Sequence, residues 1–387
     1  MPGSDTRPTA SWPLPPDDAL EASAALTALV RDEIDRAGGV IDFARYMELA
    51  LYAPGLGYYS GGARKFGPSG DFITAPEVSP LFGRCVARQV AEVLALIGGG
   101  EVLELGAGTG ALAAAAIEEL GRLGVRAGWH VLEPSPELRS RQEARLGAAV
   151  RWLEAPPSEF RGVILANEVA DALPVERFRI RRGRVVRIGV GWDGDGFAWR
   201  EAGAADRLEA AVQALQAQLG YRLPEDYESE VCLLLAPWVE ALAASLATGL
   251  LLIVDYGMPA SEYYAVTRNR GTLLCHYRHR AHPDPFLFPG LQDISAWVDF
   301  TAVARAGTGA GLVLEGFTPQ SAFLAANGLD QLLAGAADDR ERIRLAQQAK
   351  QLVLPGEMGE RFRVMGLSRG VSPGLSGFSL VDLAGRL

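Results

Sequence analysis

Cysteine, lysine and net positive charge are all scarce in this chain of 387 residues. The three cysteines, Cys85, Cys232 and Cys275, form no CxxC pair, which argues against a disulfide framework and fits a reducing compartment. The 37 Lys+Arg residues are outnumbered by 47 Asp+Glu residues, and the formal net charge is −10. A general nucleic-acid-binding protein carries a basic surface, so the composition excludes that class of function.

Long uninterrupted hydrophobic runs are also missing from the sequence. The most apolar stretch, residues 231–254, is interrupted by Pro237 and Gly249, whereas a membrane-spanning helix needs about 20 consecutive apolar residues. We therefore predict no membrane insertion. Instead, we expect a buried helix over Cys232–Leu246 and a buried strand over Leu250–Val254.

The N-terminal residues resemble no targeting signal. Residues 1–18 are rich in Pro, Ser and acidic residues, and they lack the apolar core of a secretory signal. They also lack the Arg-rich, acid-poor pattern of a transit peptide. The sequence therefore predicts a cytoplasmic protein in which residues 1–19 form a disordered arm.

Strands alternate with helices from residue 101 onward. The predicted strands are Glu101–Leu105, Trp129–Leu132, Val150–Leu153, Val163–Ala166 and Leu250–Val254, and the predicted helices between the first three are Gly110–Leu123 and Pro136–Leu146. The last strands are expected at Leu312–Phe317 and Arg361–Leu367. This alternation indicates βαβ units, a parallel sheet and right-handed crossovers.

Two additions flank or interrupt this pattern. Residues 20–97 are predicted to form an N-terminal helical and glycine-rich region, with helices over Leu20–Ala37, Asp42–Leu51 and Pro80–Ile97. Residues 98–387 are predicted to form the core, with an insertion at about residues 176–247 between two strands of the sheet.

The insertion opens with a predicted hairpin, in which Phe178–Ile180 and Val185–Val190 flank a turn at Arg182-Gly183. Arginines crowd this hairpin, at positions 177, 179, 181, 182, 184 and 187. Because apolar residues alternate with them, the pattern is typical of the solvated face of a hairpin. Docking of an acidic protein partner is the alternative interpretation.

Three histidines, His276, His279 and His282, are spaced as HxxHxxH, a pattern compatible with metal binding. Arg278 and Arg280 lie between them, and their positive charges oppose a divalent cation. We therefore expect no metal site here.

The sharpest local signal lies where the first strand of the sheet meets its first helix, in the segment Glu104-Leu105-Gly106-Ala107-Gly108-Thr109-Gly110. Glycines at this point allow a tight turn and let a ligand approach the backbone, while the helix N-terminus offers free N–H donors. We therefore predict that Gly106, Ala107, Gly108 and Gly110 bind a cofactor.

Two classes of cofactor fit this turn. Read as GxGxxA, the segment would suit a dinucleotide, and read as ExGxGxG, it would suit S-adenosylmethionine. Glu104 favours the second, because its carboxylate could face the methionine ammonium and would repel a pyrophosphate. Glu133 ends the second strand, where an acid can accept both ribose hydroxyls in either class.

Residues 70–83, GDFITAPEVSPLFG, resemble the signature of the MidA-like S-adenosylmethionine-dependent methyltransferases. The resemblance covers about residues 20–380 and includes the glycine turn. It continues in order through Glu133-Pro134-Ser135-Pro136, residues 166–175, Asp255-Tyr256-Gly257, Gly271-Thr272-Leu273 and Val298-Asp299-Phe300. That lineage includes the mitochondrial complex I assembly factor that methylates a protein arginine. Several separated motifs in the right order are far more specific than one glycine turn.

The resemblance implies a class I, Rossmann-like α/β fold with a mostly parallel seven-stranded sheet, an N-terminal helical addition and an inserted region. It also implies S-adenosylmethionine as cofactor and a protein substrate, such as a subunit of respiratory complex I. One departure is visible at Val169-Ala170, where members of the family usually carry an aromatic pair.

Three polar residues, Asn167, Glu168 and Asp171, follow the carboxyl end of the fourth strand. Ligands of open α/β sheets bind at such ends, and carboxylates can bind a guanidinium and accept the proton that it loses on methylation. Our hypothesis is that Glu168 clamps the acceptor, Asp171 assists, and Asn167 positions the acceptor or the cofactor. Alternatively, Asp171 caps a helix or turn that begins near Ala172.

The glycine-rich segment before the sheet is long and has few periodic apolar residues. We expect residues 66–79 to fold over the cofactor as a lid, in which Asp71 and Thr74 supply polar contacts and Pro76 also lies at the cofactor. A structural loop that covers the sheet edge is the alternative.

The sequence thus predicts a methyltransferase that uses S-adenosylmethionine, with an arginine of a protein as the acceptor. The first alternative is an assembly factor that uses the same fold to hold a respiratory-complex subunit. The second is a nucleotide-dependent oxidoreductase, which would bind NAD(P) and which Glu104 disfavours.

Overall fold

The computed structural model describes residues 12–61, 73–372 and 374–387. They divide into two compact units. The first comprises the described part of Met1–Phe72 together with Ala172–Leu234 and Tyr264–Ala296, and the second comprises Ile73–Asp171, Leu235–Tyr263 and Trp297–Leu387. The domain boundaries expected from the sequence remain predictions, except that the first helix begins at Asp17, inside the stretch expected to be a disordered arm.

The strands and helices are numbered in chain order. The strands are β1 (Val40–Ile41), β2 (Glu101–Leu105), β3 (Trp129–Leu132), β4 (Arg151–Leu153), β5 (Phe160–Asn167), β6 (Glu176–Arg181), β7 (Arg184–Trp192), β8 (Phe197–Gly203), β9 (Glu228–Val231), β10 (Leu246–Met258), β11 (Leu274–Tyr277), β12 (Arg280–His282), β13 (Asp293–Ser295), β14 (Val298–Asp299), β15 (Val313–Pro319) and β16 (Phe362–Arg369). The helices are α1 (Asp17–Arg36), α2 (Phe43–Tyr52), α3 (Ala75–Val78), α4 (Pro80–Leu96), α5 (Ala111–Arg122), α6 (Pro136–Leu146), α7 (Asp206–Leu219), α8 (Leu235–Ser245), α9 (Ala260–Tyr263), α10 (Phe300–Gly309), α11 (Gln320–Ala326), α12 (Leu329–Ala334), α13 (Asp339–Val353) and α14 (Met358–Arg361).

The second unit is built on one sheet with the strand order β15-β16-β10-β5-β2-β3-β4. Strands β4, β3, β2, β5 and β10 are parallel to one another, and β16 is antiparallel to both β10 and β15. This confirms the predicted α/β fold with a mostly parallel sheet. The expected count of seven strands needs correction, because the end of β10 also pairs with the short β14, which adds an eighth.

The central strands of this sheet are buried on both faces. Along β10, every residue from Gly249 to Asp255 is buried, and β5 is buried from Gly162 to Ala166. Helix α4 packs on both strands, and α8 and α10 also pack on β10. This explains why the sequence of β10 is a continuous apolar run and not an alternating one.

Two glycines let β2, β5 and β10 approach each other closely. Gly162 of β5 has φ 145° and Gly249 of β10 has φ 136°, in a region that other residues rarely adopt. A Cβ at Gly162 would overlap the carbonyl oxygen of Glu101, and a Cβ at Gly249 would overlap that of Gly162. These contacts require glycine where the three strands begin to pair.

The first unit contains two antiparallel sheets. One has the order β1-β7-β6-β9, and β8 also pairs with β7. The other has the order β12-β11-β13. The predicted hairpin is confirmed, since β6 and β7 pair directly and Arg182 and Gly183 adopt φ 51° and φ 69° in the turn. Strands β1, β8 and β9 and the whole second sheet were not predicted.

Two arginines of the hairpin form ion pairs with acidic residues of the same unit. Arg179 pairs with Glu201 of β8 and Glu228 of β9, and Arg181 pairs with Asp226 and Glu201. Between them, Phe178 and Ile180 are buried. Arg179 and Arg181 therefore lie on the polar face of the hairpin, in ion pairs within the unit.

The remaining sequence signals concern membranes and metals. In the part of the chain that the structure describes, no helix has both the length and the apolar character required to cross a membrane. His276 lies on β11 and His282 on β12. Over the same described ranges, no group of three His, Cys, Asp or Glu side chains is placed to hold a metal ion.

We expect Gly249→Ala to destabilise the protein by at least about 3 kcal/mol, because the added Cβ would overlap backbone in the centre of the sheet. Thermal or urea unfolding measures the change. The matched control is Gly121→Ala in α5, where a Cβ meets nothing within 4 Å and helix propensity gains up to about 1 kcal/mol. Equal melting temperatures for Gly249→Ala and the parent protein would contradict this role of glycine.

Candidate functional site

The glycine turn lies at the carboxyl end of β2 and leads directly into α5. Gly106, Gly108 and Gly110 adopt φ 59°, 55° and 78°, so each uses a conformation that favours glycine. A Cβ at Gly108 would meet nothing within 4 Å. The turn therefore presents open backbone beside the N-terminus of α5, as the sequence predicts for a ligand-binding turn.

Glu104 is the second-last residue of β2, two positions before Gly106, and it is only 3% exposed. The indole Nε1 of Trp129 on β3 donates a hydrogen bond to its carboxylate, at 2.9 Å. Burial raises the pKa of Glu104 to about 8, and the negative charge of Glu133 adds to the rise, while the Trp129 hydrogen bond opposes it. A cationic ligand beside a buried carboxyl group of this kind stabilises its charged form.

Glu133 follows β3 and is held by two donors. The backbone N–H of Ser135 donates to one carboxylate oxygen at 3.0 Å, and the side-chain amide of Gln142 donates to the other at 2.9 Å. The same Gln142 amide also donates to the carbonyl oxygen of Gly108, at 2.9 Å. The structure thus links the second predicted cofactor acid to the glycine turn.

Helix α3 supplies a second connection to the glycine turn. The Thr109 hydroxyl donates to Glu77, and Arg145 of α6 lies 3.5 Å from the same carboxylate and donates to the Thr109 hydroxyl at 2.7 Å. Thr74 precedes α3 and Pro76 is in its first turn. These two predicted lid residues therefore belong to a segment that contacts the turn, whereas Asp71 lies outside the described residues.

Glu168 occupies a sharp turn immediately after β5. Its φ is 55°, a conformation that is uncommon for a residue other than glycine, and its N–H donates to the carbonyl oxygen of Val254 at 2.9 Å. Its carboxylate accepts from the Asn167 amide at 3.2 Å and from the Ala75 N–H at 3.4 Å. The predicted acceptor acid is therefore oriented by its neighbour and by α3.

A fully buried carboxylate, Asp255 of β10, holds this turn in place. One of its oxygens accepts the backbone N–H groups of Val169, Ala170 and Asp171 at 3.2, 2.9 and 3.3 Å, and the other accepts the N–H of Tyr256 at 2.8 Å. Burial raises the pKa of Asp255, and the nearby negative charge of Glu168 raises it further. The Asp255 side chain thus fixes the strained turn by binding the backbone N–H groups of that turn.

Two more predictions concern this turn. Asp171 begins a hydrogen-bonded turn, and no helix starts near Ala172 in the described chain, so capping of a helix is not seen, while capping of the turn by Asp171 stays a prediction. Asn167 lies beside Glu168, and its Oδ1 is buried without a hydrogen-bond partner among the described residues. Such an atom is suited to accept a hydrogen bond from a bound ligand.

Comparison with known proteins shows the family to which the chain belongs. A family model described as "Putative S-adenosyl-L-methionine-dependent methyltransferase" matches residues 85–318, more than half of the chain. The chain belongs to this methyltransferase family. The predicted resemblance, and with it the predicted class of cofactor, is confirmed.

Individual relatives agree with the family model. "Protein arginine methyltransferase NDUFAF7, mitochondrial" from Danio rerio is 30% identical to this methyltransferase and covers 84% of the chain and 83% of the relative. The homologue of that protein from Drosophila melanogaster is 29% identical and covers 92% and 89%. A solved structure from Burkholderia thailandensis, described as a "likely methyl transferase" bound to S-adenosyl-homocysteine, is 43% identical, with a TM-score of 0.92 and coverage of 97% and 100%.

The residues of this methyltransferase fit S-adenosylmethionine, which carries a sulfonium and an ammonium. Glu104 offers a buried carboxylate to a cation, and the open backbone at Gly108 leaves room for a ligand. The predicted residues Glu104, Glu133, Asn167 and Glu168 all lie at the carboxyl ends of neighbouring strands.

Three residues of the site were not assigned roles from the sequence. Gln142 and Glu77 are joined to the predicted residues only through contacts across helices α6 and α3. Asp255 belongs to a motif that carries the family resemblance, yet its bonds to the turn after β5 depend on strand pairing. No local sequence signal marks Gln142, because its burial in the polar helix α6 is seen only in the structure.

We expect Glu104→Gln to stabilise the protein without cofactor, by a margin that grows as the pH rises from about 5 to about 8. The folded-state pKa of Glu104, about 8, lies above the ordinary glutamate value of 4.5. The folded parent therefore keeps a proton that the unfolded chain loses, and its stability falls as the pH rises through that window. Glutamine has no proton to lose.

Urea unfolding at several pH values measures this difference. Glu357→Gln is the matched control for the loss of a carboxylate, because Glu357 is exposed and lies outside the site, just before α14. A stability difference for Glu104→Gln that does not change with pH would contradict the effect of burial on this acid.

Proposed function

We propose that this protein transfers a methyl group from S-adenosylmethionine to an arginine side chain of another protein. The observation that carries the proposal is the arrangement of acids around the end of β5, beside Asp255 of the neighbouring strand β10. Glu168 is held in a strained turn by Asp255, and Asp171 lies in the same turn. A cluster of carboxylates beside the cofactor turn suits a cationic acceptor.

For the cofactor, we assign Glu104 to the methionine ammonium and Glu133 to the ribose hydroxyls. The backbone of the turn at Gly106, Ala107, Gly108 and Gly110 lines the cofactor between these two acids. Asp71, Thr74 and Pro76 remain predicted contacts from the segment that leads into α3. When bound, S-adenosylmethionine supplies an electrophilic methyl group.

For the acceptor, Glu168 binds the guanidinium and orients the attacking nitrogen. A guanidinium is a poor nucleophile because its charge is delocalised, and carboxylates on its other nitrogens localise that charge. Glu168 then takes the proton that the methylated nitrogen loses, and Asp171 assists. The buried Oδ1 of Asn167 accepts an N–H from the acceptor or the cofactor.

The named relatives support arginine as the acceptor, since the proteins from Danio rerio and Drosophila melanogaster are both called protein arginine methyltransferases. A subunit of respiratory complex I, or an equivalent protein, remains the proposed substrate. The alternative of a purely structural assembly factor is not favoured, because the acids and the glycine turn are both in place.

We keep the cytoplasm as the proposed location of this chain. The relatives with named functions are mitochondrial, so their location does not support the prediction. Fractionation of cells that produce the tagged protein tests it, and recovery in a membrane-bounded organelle would overturn it.

The test of catalysis is Glu168→Gln. We expect at least about a hundredfold loss of methyl transfer, with affinity for S-adenosyl-homocysteine within about twofold of the parent. Calorimetry measures binding, and transfer of labelled methyl groups to a protein extract measures turnover. Glu118→Gln, on the exposed face of α5, is the matched control. Normal turnover by Glu168→Gln would refute the clamp.

The test of the acceptor is mass spectrometry of the proteome with and without the gene. We expect one methylated arginine, on one protein, to disappear with the gene and to return with the parent protein. It should not return with Glu168→Gln. Loss of methyl groups only from other residue types would refute arginine as the acceptor.

A further inference from the structure

We infer that Gln142 is a positioning residue for the cofactor, which selects the ribose by holding Glu133 against the glycine turn. The inference rests on the proposed role of Glu133 in binding the ribose. Gln142 is fully buried in α6, although glutamine is mostly exposed in proteins.

Every polar end of the Gln142 amide is used. Its nitrogen donates to Glu133 and to the carbonyl oxygen of Gly108, both at 2.9 Å. Its oxygen accepts the indole N–H of Trp152, also at 2.9 Å. One side chain therefore joins the acid after β3, the turn after β2 and strand β4.

Trp152 decides which way the amide points. An indole N–H is only a donor, so the end of the amide that faces Trp152 must be the oxygen. The nitrogen then faces Glu133 and Gly108, and a flipped amide would place its oxygen against a carboxylate and a carbonyl. The donor to Glu133 is thus fixed by the hydrogen bond from the Trp152 indole.

The Glu133 carboxylate is thereby fixed at both oxygens, because Ser135 donates to the other one. A carboxylate that is already oriented loses less side-chain freedom when a ribose binds. The shared donor also keeps Glu133 at a constant position relative to Gly108. Gln142 therefore favours ligands whose two ribose hydroxyls match that position.

The experiment compares two ligands, S-adenosyl-homocysteine and its analogue that lacks both ribose hydroxyls, by calorimetry. For the parent protein we expect the hydroxyls to improve affinity strongly. Gln142→Leu should lose about tenfold or more in affinity for S-adenosyl-homocysteine and change little for the analogue. Trp152→Phe, which keeps Gln142 but removes the indole donor, should show a smaller loss of the same kind.

Gln89→Leu is the matched control. Gln89 is also a fully buried glutamine, and its amide donates to a glutamate, Glu92, in α4. It lies outside the site, so the variant should keep the parent's preference for the ribose hydroxyls. Its melting temperature shows how much stability a lost buried amide costs by itself.

Two results would overturn the inference. If Gln142→Leu loses affinity equally for both ligands, the role of Gln142 is purely structural. If Gln142→Leu and Trp152→Phe both keep the parent's full preference for the ribose hydroxyls, Gln142 has no role in selecting the ribose. Glu133→Gln separates the two proposals. If that variant also keeps full discrimination, the assignment of Glu133 fails together with this one, whereas failure of Gln142 alone leaves the proposed function intact.

Discussion

The site depends on the register of three parallel strands, β2, β5 and β10. Leu105 of β2 pairs with Ala166 of β5, and Val254 of β10 pairs with Asn167. Strands β2 and β5 therefore end at nearly the same level, beside Asp255 of β10, and the acids there lie at one edge of the sheet. The close contacts at Gly162 and Gly249 set this alignment at the opposite end. Backbone packing far from the chemistry thus determines where the acids lie.

Buried acids dominate the electrostatics of this edge. Removing a carboxylate from water is costly unless donors or a cation compensate. Burial raises the pKa of both acids, but their hydrogen bonds differ. Asp255 accepts four backbone N–H groups, which makes it a structural anchor, whereas Glu104 accepts one hydrogen bond, from the Trp129 indole. This difference in hydrogen bonding fits the proposed roles, in which Asp255 anchors the turn after β5 and Glu104 binds the cofactor.

The sequence predicted what short-range patterns encode. Glycine spacing after a buried strand identified the turn at Gly106, and acids at strand ends identified Glu133 and Glu168. Gln142 escaped notice because its partners come from three different elements, and no spacing along the chain records them. The two-residue strand β1 was missed for a related reason, since it is defined by pairing with β7 and not by its own composition.

Glu168, the proposed acceptor-binding carboxylate, is held by parts of the chain that are far apart in sequence. Ala75 precedes it by 93 residues, and Asp255, which fixes the turn after it, lies 85 residues beyond Ala170. During synthesis, the turn after Glu168 therefore lacks its anchor until the ribosome has translated the chain beyond Asp255. The proposed acceptor site thus depends on a residue that is made long after Glu168.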